Sequence, residues 1–195
     1  MDKRTRIGLS LASAALLLTY FFPIWWIRLE APQYPEGMGL HIWINKVDGQ
    51  GANDLRTING LNHYIGMKTI EPESIPELRI MPYVIGALIV LGLVAAMTGK
   101  RWMLALWLAL FMGALMVGLV DFYLWEYDYG HNLNPHAPLK IPGTSFQPPL
   151  IGTKQILNMR TTSIPHIGGL VTGLAFLAGL WLYYKSWRQT KKESL

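Results

Sequence analysis

The sequence predicts an all-α integral membrane protein with four transmembrane helices, both termini in the cytoplasm and two extracytoplasmic loops. The 195-residue chain is 51% hydrophobic and only 15% charged, which is too apolar for a soluble domain of this size. Its apolar residues are concentrated in four stretches, each near the roughly 20 residues that a helix needs to cross a bilayer. These stretches are residues 7–27, 81–98, 102–124 and 167–184.

The first stretch also invites interpretation as a cleaved secretory signal, because a charged segment precedes it. We favour a retained helix, since the apolar run is longer than a signal core and ends without the small residues that a signal peptidase requires. It ends instead in Trp25 and Trp26, and such a pair is typical of the headgroup belt of a membrane helix.

The orientation follows from the distribution of lysine and arginine. The chain ends and the short connection near residue 100 hold nine basic and two acidic residues, whereas the rest of the chain holds eight basic and ten acidic residues. Because basic residues are enriched in cytoplasmic segments, both chain ends are predicted to be cytoplasmic. The protein is therefore expected in the bacterial inner (cytoplasmic) membrane, with its large loops in the periplasm.

The first outer loop, residues 28–80, is rich in Gly, Asn and Pro, and we predict a small mixed subdomain there. Alternation of apolar and mixed residues at 40–47 favours a strand, and 48–51 is typical of a turn. Asp54 precedes apolar residues at helical spacing, which predicts a short helix. In the second outer loop, residues 125–165, five prolines lie between 134 and 149. They argue against regular structure and favour extended backbone packed on the first loop.

Histidine and methionine in the first outer loop are the strongest candidates for a metal site. His63 and Met67 are four residues apart, so on a helix they share a face. Met38 and His41, three residues apart, form a second candidate pair. Imidazole with thioether is a soft ligand set that suits cuprous copper. The alternative is that His63 only makes hydrogen bonds that hold the loop together.

Two further residues are candidates for a proton or cation relay. Asp121 lies near the outer end of the third apolar stretch, where a carboxylate is costly and needs a partner. His166 opens the fourth stretch. For Asp121 the alternative is an interfacial acid bonded to a neighbouring donor.

The residue content argues against several classes of cofactor and enzyme. The chain has no cysteine, which excludes disulfides, iron–sulfur clusters and a c-type haem attachment. A b-type haem would need two facing helical histidines, and only His166 is near enough. No catalytic triad order, phosphate loop or metalloprotease motif is present. We therefore predict a protein that is not an enzyme and has neither haem nor an iron–sulfur cluster; the metal that the His and Met pairs suit is copper(I).

Two motifs resemble a known family. The segments APQYPEGM (31–38) and INGLNHYIGM (58–67) are similar to the NosB-type small membrane proteins encoded beside atypical (clade II) nitrous oxide reductases. The resemblance covers about a quarter of the chain. It implies a role in maturing or sustaining a periplasmic copper enzyme that reduces nitrous oxide.

Three functions are compatible with these observations. The first is an accessory protein that docks a periplasmic copper protein and holds cuprous copper in transit, which predicts a soft-metal site in the outer loops. The second is an anchor or scaffold without metal, which predicts only a stable complex. The third is a quinol-interacting electron-transfer subunit in which Asp121 and His166 handle protons.

Overall fold

Helices and one antiparallel sheet make up the chain in a computed structural model, which describes residues 1–141 and 143–193. The helices are α1 (Lys3–Ala15), α2 (Asp54–Ile65), α3 (Glu77–Thr98), α4 (Arg101–His131) and α5 (Ile167–Glu193). The strands are β1 (Trp25–Ala31), β2 (Tyr34–Ile42), β3 (Val47–Gly49), β4 (Gly152–Ile156) and β5 (Met159–Pro165). Short 3-10 helices cover Leu16–Tyr20 and Pro72–Ser74.

Four of the helices form a bundle in which α1 and α4 each pack against both α3 and α5. The centre of the bundle is aromatic. Trp107 and Phe111 on α4 meet edge to face with ring centroids 5.1 Å apart, and Phe111 makes a similar contact with Phe176. The buried indole of Trp107 donates a 2.8 Å hydrogen bond to the carbonyl of Leu88. A buried tryptophan needs such an acceptor, so this contact fixes α4 against α3.

Three helices among the described residues are long and apolar enough to cross a bilayer: Glu77–Thr98, Arg101–His131 and Ile167–Gln189. Many of their large apolar side chains are exposed, among them Val117 on α4 and Leu174 on α5. A soluble domain rarely exposes so much contiguous apolar surface. The chain is therefore a membrane protein that associates with the lipid bilayer.

The first predicted helix is much shorter than its apolar stretch. Helix α1 ends at Ala15, the 3-10 helix ends at Tyr20, and Trp25 already belongs to β1. A single helix over 7–27 is therefore wrong beyond Tyr20. Pro23 lies just before the strand, and a proline disfavours helical backbone in the residue before it.

The predicted all-α fold with a small mixed subdomain is confirmed only in part, because a five-stranded sheet lies outside the helical bundle. Its strand order is β3-β2-β1-β5-β4, and every pairing is antiparallel. Most of β1 and all of β2 and β3 come from the segment predicted as the first loop, residues 28–80, and β4 and β5 come from the second, residues 125–165. The two segments predicted as separate loops thus share one sheet, joined by the pairing of β1 with β5.

The strand and turn predicted at 40–51 are displaced. Strand β2 starts earlier than predicted, at Tyr34, and ends at Ile42, and part of the predicted turn forms β3. The hairpin between β1 and β2 has only Pro32 and Gln33 in its turn, with Ala31 facing Tyr34 across the register. Pro32 therefore lies in a hairpin turn, and Pro35, Gly37 and Gly39 lie within β2.

Helix α2 begins at Asp54 as predicted. The Asp54 carboxylate accepts 2.9 Å hydrogen bonds from the amides of Gly39 and Gly51, so it ties the helix start to β2. The helix ends at Gly66, whose φ of 85° is left-handed. Such a C-terminal residue is usually glycine because a Cβ is strained there.

The second outer segment contains little regular structure before β4. Among its described residues between 134 and 149 no helix or strand forms, as the prolines predict. Pro142 lies outside the described residues. The Phe146 amide donates to the carbonyl of Gly130 at 3.0 Å, and the Leu139 amide donates to Tyr64 at 3.1 Å. These bonds fasten the segment to α4 and α2.

Candidate functional sites

Two histidines from distant parts of the chain meet where the sheet joins the bundle. His41 lies near the end of β2, and His166 stands between β5 and α5. Their ring centroids are 5.2 Å apart, with the rings tilted by 57°. The pairing follows from the sheet register, because β1 lies between β2 and β5 and aligns Trp26 with His41 and Trp25 with Pro165. We call these two residues the histidine pair.

The histidine pair is half-buried and incompletely hydrogen-bonded. The Nδ1 atom of His166 is buried without a hydrogen-bond partner among the described residues. Burial lowers the pKa of His41, and the neighbouring His166 lowers it further, while Asp48 and Asp54 act in the opposite direction. A lowered pKa keeps the imidazole neutral near pH 7, which is the form that binds metals.

The predicted pair of His63 and Met67 does not lie on one helical face. Because α2 ends at Ile65 and Gly66 turns the chain, Met67 stands beyond the helix. His63 is exposed, whereas Met67 packs against the apolar cluster beneath the sheet. The spacing of four residues therefore does not place His63 and Met67 on the same face of a helix.

Met38 and His41, the second predicted pair, lie on opposite faces of β2. Side chains alternate between the two faces of a strand, so residues three apart point to opposite sides. Met38 is 4% exposed and belongs to the apolar cluster with Leu40 and Ile27. His41 lies on the other face, beside His166.

The acidic residues near the end of α4 also have separate surroundings. Asp121 is half-buried on α4, and His166, the other relay candidate, contacts His41. The Asp128 carboxylate forms a salt bridge with Lys68, with 2.5 Å between Oδ2 and Nζ. Glu126, in contrast, is fully buried.

Glu126 lines a small cavity between the sheet and the outer ends of α2 and α4. The cavity has a volume of about 110 Å³. Neither carboxylate oxygen of Glu126 has a hydrogen-bond partner among the described residues. The other walls are mostly apolar and include Trp125, Tyr129, Phe146, Met67 and Met159. We call this space the Glu126 cavity.

The sequence alone predicts neither the histidine pair nor the Glu126 cavity. No local pattern links His41 to His166, because only the β1–β5 pairing brings their segments together. Glu126 had a usable signal, since Phe122 and Tyr129 lie four and three residues from it. At helical spacing these aromatic residues place Glu126 on the buried face of α4.

The described residues do not contain a group of three or more His, Asp or Glu side chains that could hold a metal ion. A metal bound at the histidine pair would therefore have at most two of these side chains as ligands and would keep positions open for another donor. No protein-family model matches the sequence, and a comparison with curated proteins finds no match either.

Proposed function

We propose that this chain is an accessory protein of the bacterial inner membrane that supports a periplasmic copper enzyme of the nitrous oxide reductase type. In this proposal it crosses the membrane four times, with both termini in the cytoplasm, and presents the sheet to the periplasm. The sheet docks the partner, and the histidine pair holds cuprous copper as cargo. The protein does not act as an enzyme. The single observation that carries the copper step is the 5.2 Å approach of His41 and His166.

The contacts between helix ends support the four-span arrangement. Arg6 at the start of α1 donates to the carbonyls of Ala96 and Met97 at the end of α3, at 2.7 and 2.6 Å. The guanidinium of Arg101, which begins α4, lies 5.7 Å from the ring centre of Tyr183 on α5. These contacts gather the basic helix ends at one end of the bundle, opposite the sheet, as the positive-inside rule requires of a cytoplasmic face.

The length of the first helical segment agrees with a fourth span. Helix α1 has 13 residues and the 3-10 helix that follows has 5. At about 1.5 and 2.0 Å per residue they form a rod of roughly 30 Å, which is the thickness of the hydrocarbon core. The rod packs along α3 and α5, which are both long and apolar enough to cross a bilayer.

The chemistry of the histidine pair fits a copper ion in transit. Imidazole nitrogen is a good ligand for copper, and the buried Nδ1 of His166 lacks a partner that would compete with a metal. A site with two imidazoles leaves coordination positions open, so a ligand from a docking partner can complete the shell and remove the ion. The choice of copper over zinc or nickel rests on the family resemblance.

The position of the pair is also suited to transfer. His41 and His166 lie on the face of the sheet opposite the apolar cluster, at its junction with α5. Beside them on that face, Trp26 and Arg28 are half-exposed, with 5.9 Å between the Arg28 guanidinium and the Trp26 ring centre. Tryptophan and arginine are enriched in protein interfaces, which supports docking on this face.

The test is anaerobic copper(I) titration of the detergent-purified protein in competition with a chromogenic chelator. We expect about one copper per chain, and we expect a His41→Ala, His166→Ala double variant to lose this binding. The matched control is the His63→Ala, Met67→Ala double variant, which should retain it. Zinc is titrated in parallel and should bind more weakly.

Two results would overturn the copper step. One is no copper(I) binding to the unmodified protein. The other is equal binding by the unmodified protein and the His41→Ala, His166→Ala variant, since the ion would then occupy a different site. Loss of binding only in the His63→Ala, Met67→Ala variant would return the site to the first outer segment as the sequence predicts.

A further inference from the structure

We propose that the Glu126 cavity is a binding site for a small organic cation: a primary ammonium group carrying a short apolar body. The ammonium would pair with the Glu126 carboxylate, and the body would occupy the apolar part of the cavity. This site lies on the opposite face of the sheet from the histidine pair, so the proposal is independent of copper binding.

The buried carboxylate is the first observation. Glu126 is 0% exposed, and both of its oxygens lack a hydrogen-bond partner among the described residues. Moving an ionised carboxylate out of water costs several kcal/mol, so a buried carboxyl group without a donor or counter-charge keeps its proton, and a cationic partner favours its ionised form. None of the salt bridges in the described chain involves Glu126. A ligand with a positive charge and N–H donors would supply what the protein does not.

The walls of the cavity are the second observation. Trp125 and Tyr129 flank Glu126 on α4, with their ring centroids 4.4 Å apart, and Phe146 lines the cavity from the second outer segment. Aromatic faces attract cations, and sites for organic ammonium ions commonly combine aromatic rings with a carboxylate. Ile58 and Leu61 from α2 add aliphatic surface for the body of the ligand.

The size of the cavity limits the ligand. An apolar cavity of roughly 150 Å³ admits benzene, which has six heavy atoms. The Glu126 cavity, at about 110 Å³, accordingly has room for roughly four to five heavy atoms. A four-carbon primary ammonium ion has this size.

Other ligand classes fit the site less well. Anions would be repelled by Glu126, and a purely apolar molecule would leave the carboxylate unpaired. Calcium and magnesium need at least six oxygen ligands, whereas besides Glu126 only three lining side chains in the described part of the chain, Asn62, Tyr129 and Thr161, carry oxygen. Met67 and Met159 offer thioethers to a soft metal, but a carboxylate is a hard ligand that such a metal does not prefer.

The experiment compares two probes of equal size by isothermal titration calorimetry on the full chain in a non-ionic detergent. The probes are n-butylammonium chloride and its neutral counterpart 1-butanol. We expect saturable binding of one butylammonium per chain, at least tenfold tighter than binding of butanol. The Glu126→Gln variant preserves the shape of the side chain and should abolish this tenfold preference.

Two further variants make the result specific. Glu71→Gln removes an exposed carboxylate from the same domain and should leave both affinities unchanged. Leu61→Phe adds bulk to the cavity wall and should weaken both probes together. Thermal unfolding of each variant, without ligand, shows that it is folded before titration.

Three outcomes would overturn the proposal. The first is the absence of saturable butylammonium binding, which would leave only water in the cavity. The second is equal affinity for butylammonium in the unmodified protein and the Glu126→Gln variant. The third is tight binding of silver(I), the redox-stable counterpart of cuprous copper, that disappears in a Met67→Ala, Met159→Ala variant, because the cavity would then be a soft-metal site.

Discussion

Replacing Glu126 by methionine should stabilise the ligand-free protein. Glu126 is completely buried among apolar side chains, and neither of its oxygens has a hydrogen-bond partner among the described residues. Methionine has a similar length, no group that requires a hydrogen bond and enough flexibility to fill an irregular space. Glu126→Met therefore removes an energetic cost without creating a larger cavity.

The size of the effect follows from the cost of burying a polar group without a partner. In proteins that cost is about 1–3 kcal/mol. For a chain of 150–250 residues each kcal/mol shifts the melting temperature by about 2–4 °C. We expect Glu126→Met to raise the melting temperature by about 2–12 °C, measured by tryptophan fluorescence in detergent on protein purified without amines.

Control variants separate this effect from a general gain in hydrophobicity. Glu126→Gln leaves a polar amide in the same place and should change the melting temperature much less. Glu71→Met, at an exposed position, should leave it nearly unchanged. A lower melting temperature in Glu126→Met would contradict a destabilising role for Glu126, because it would show that the Glu126 carboxyl group makes a stabilising interaction.

Three other predictions concern packing, topology and pH. Gly92→Ala should lower the melting temperature by the equivalent of about 1–3 kcal/mol, because its Cβ would overlap the Ser13 hydroxyl at the α1–α3 contact. A cysteine introduced at exposed Thr153 should react with an impermeant maleimide added outside intact cells, and one at Lys100 should not. Copper(I) affinity should fall as the pH drops through the lowered pKa of His41, by up to tenfold per pH unit, because the protonated imidazole cannot bind the ion. The lowered pKa of His41 also means that stability, measured as the melting temperature of the metal-free protein, should fall from about pH 6.5 downward.

Each of these predictions has a control and a contrary outcome. Gly113→Ala, where a Cβ would meet no atom within 4 Å, should be tolerated, and equal losses at Gly92 and Gly113 would argue against the packing explanation. The chain has no cysteine of its own, so labelling at Lys100 rather than Thr153 would invert the topology. Copper affinity that does not change as the pH falls through the pKa of His41 would exclude that imidazole as a ligand.

Features set by neighbouring residues were predictable from the sequence, and features set by distant pairing were not. The start of α2 follows from Asp54, an acidic residue in the first turn of the helix, and α3 to α5 follow from continuous apolar stretches. Strand β1 was not predicted because Trp25 and Ile27 continue the first apolar stretch, which contains no charged residue. Only their pairing with β2 and β5 makes that segment a strand, and local sequence does not encode such pairing.

The same distinction applies to the candidate sites. Sequence spacing grouped His41 with Met38 and His63 with Met67, but strand alternation separates the first two and the glycine at the end of α2 separates the others. His41 and His166 were both selected as candidates, yet for different roles. The register of the sheet places them together, and that register is a property of the whole domain.

The most direct test of the proposed function is X-ray absorption at the copper edge, on protein loaded anaerobically with one equivalent of copper(I). We expect a coordination shell of imidazole nitrogen, with the multiple scattering typical of histidine and no sulfur ligand, and we expect the His41→Ala, His166→Ala variant to lose this signal. A shell that contains sulfur and survives in that variant would contradict the account, because the copper would then be held by methionine away from the histidine pair.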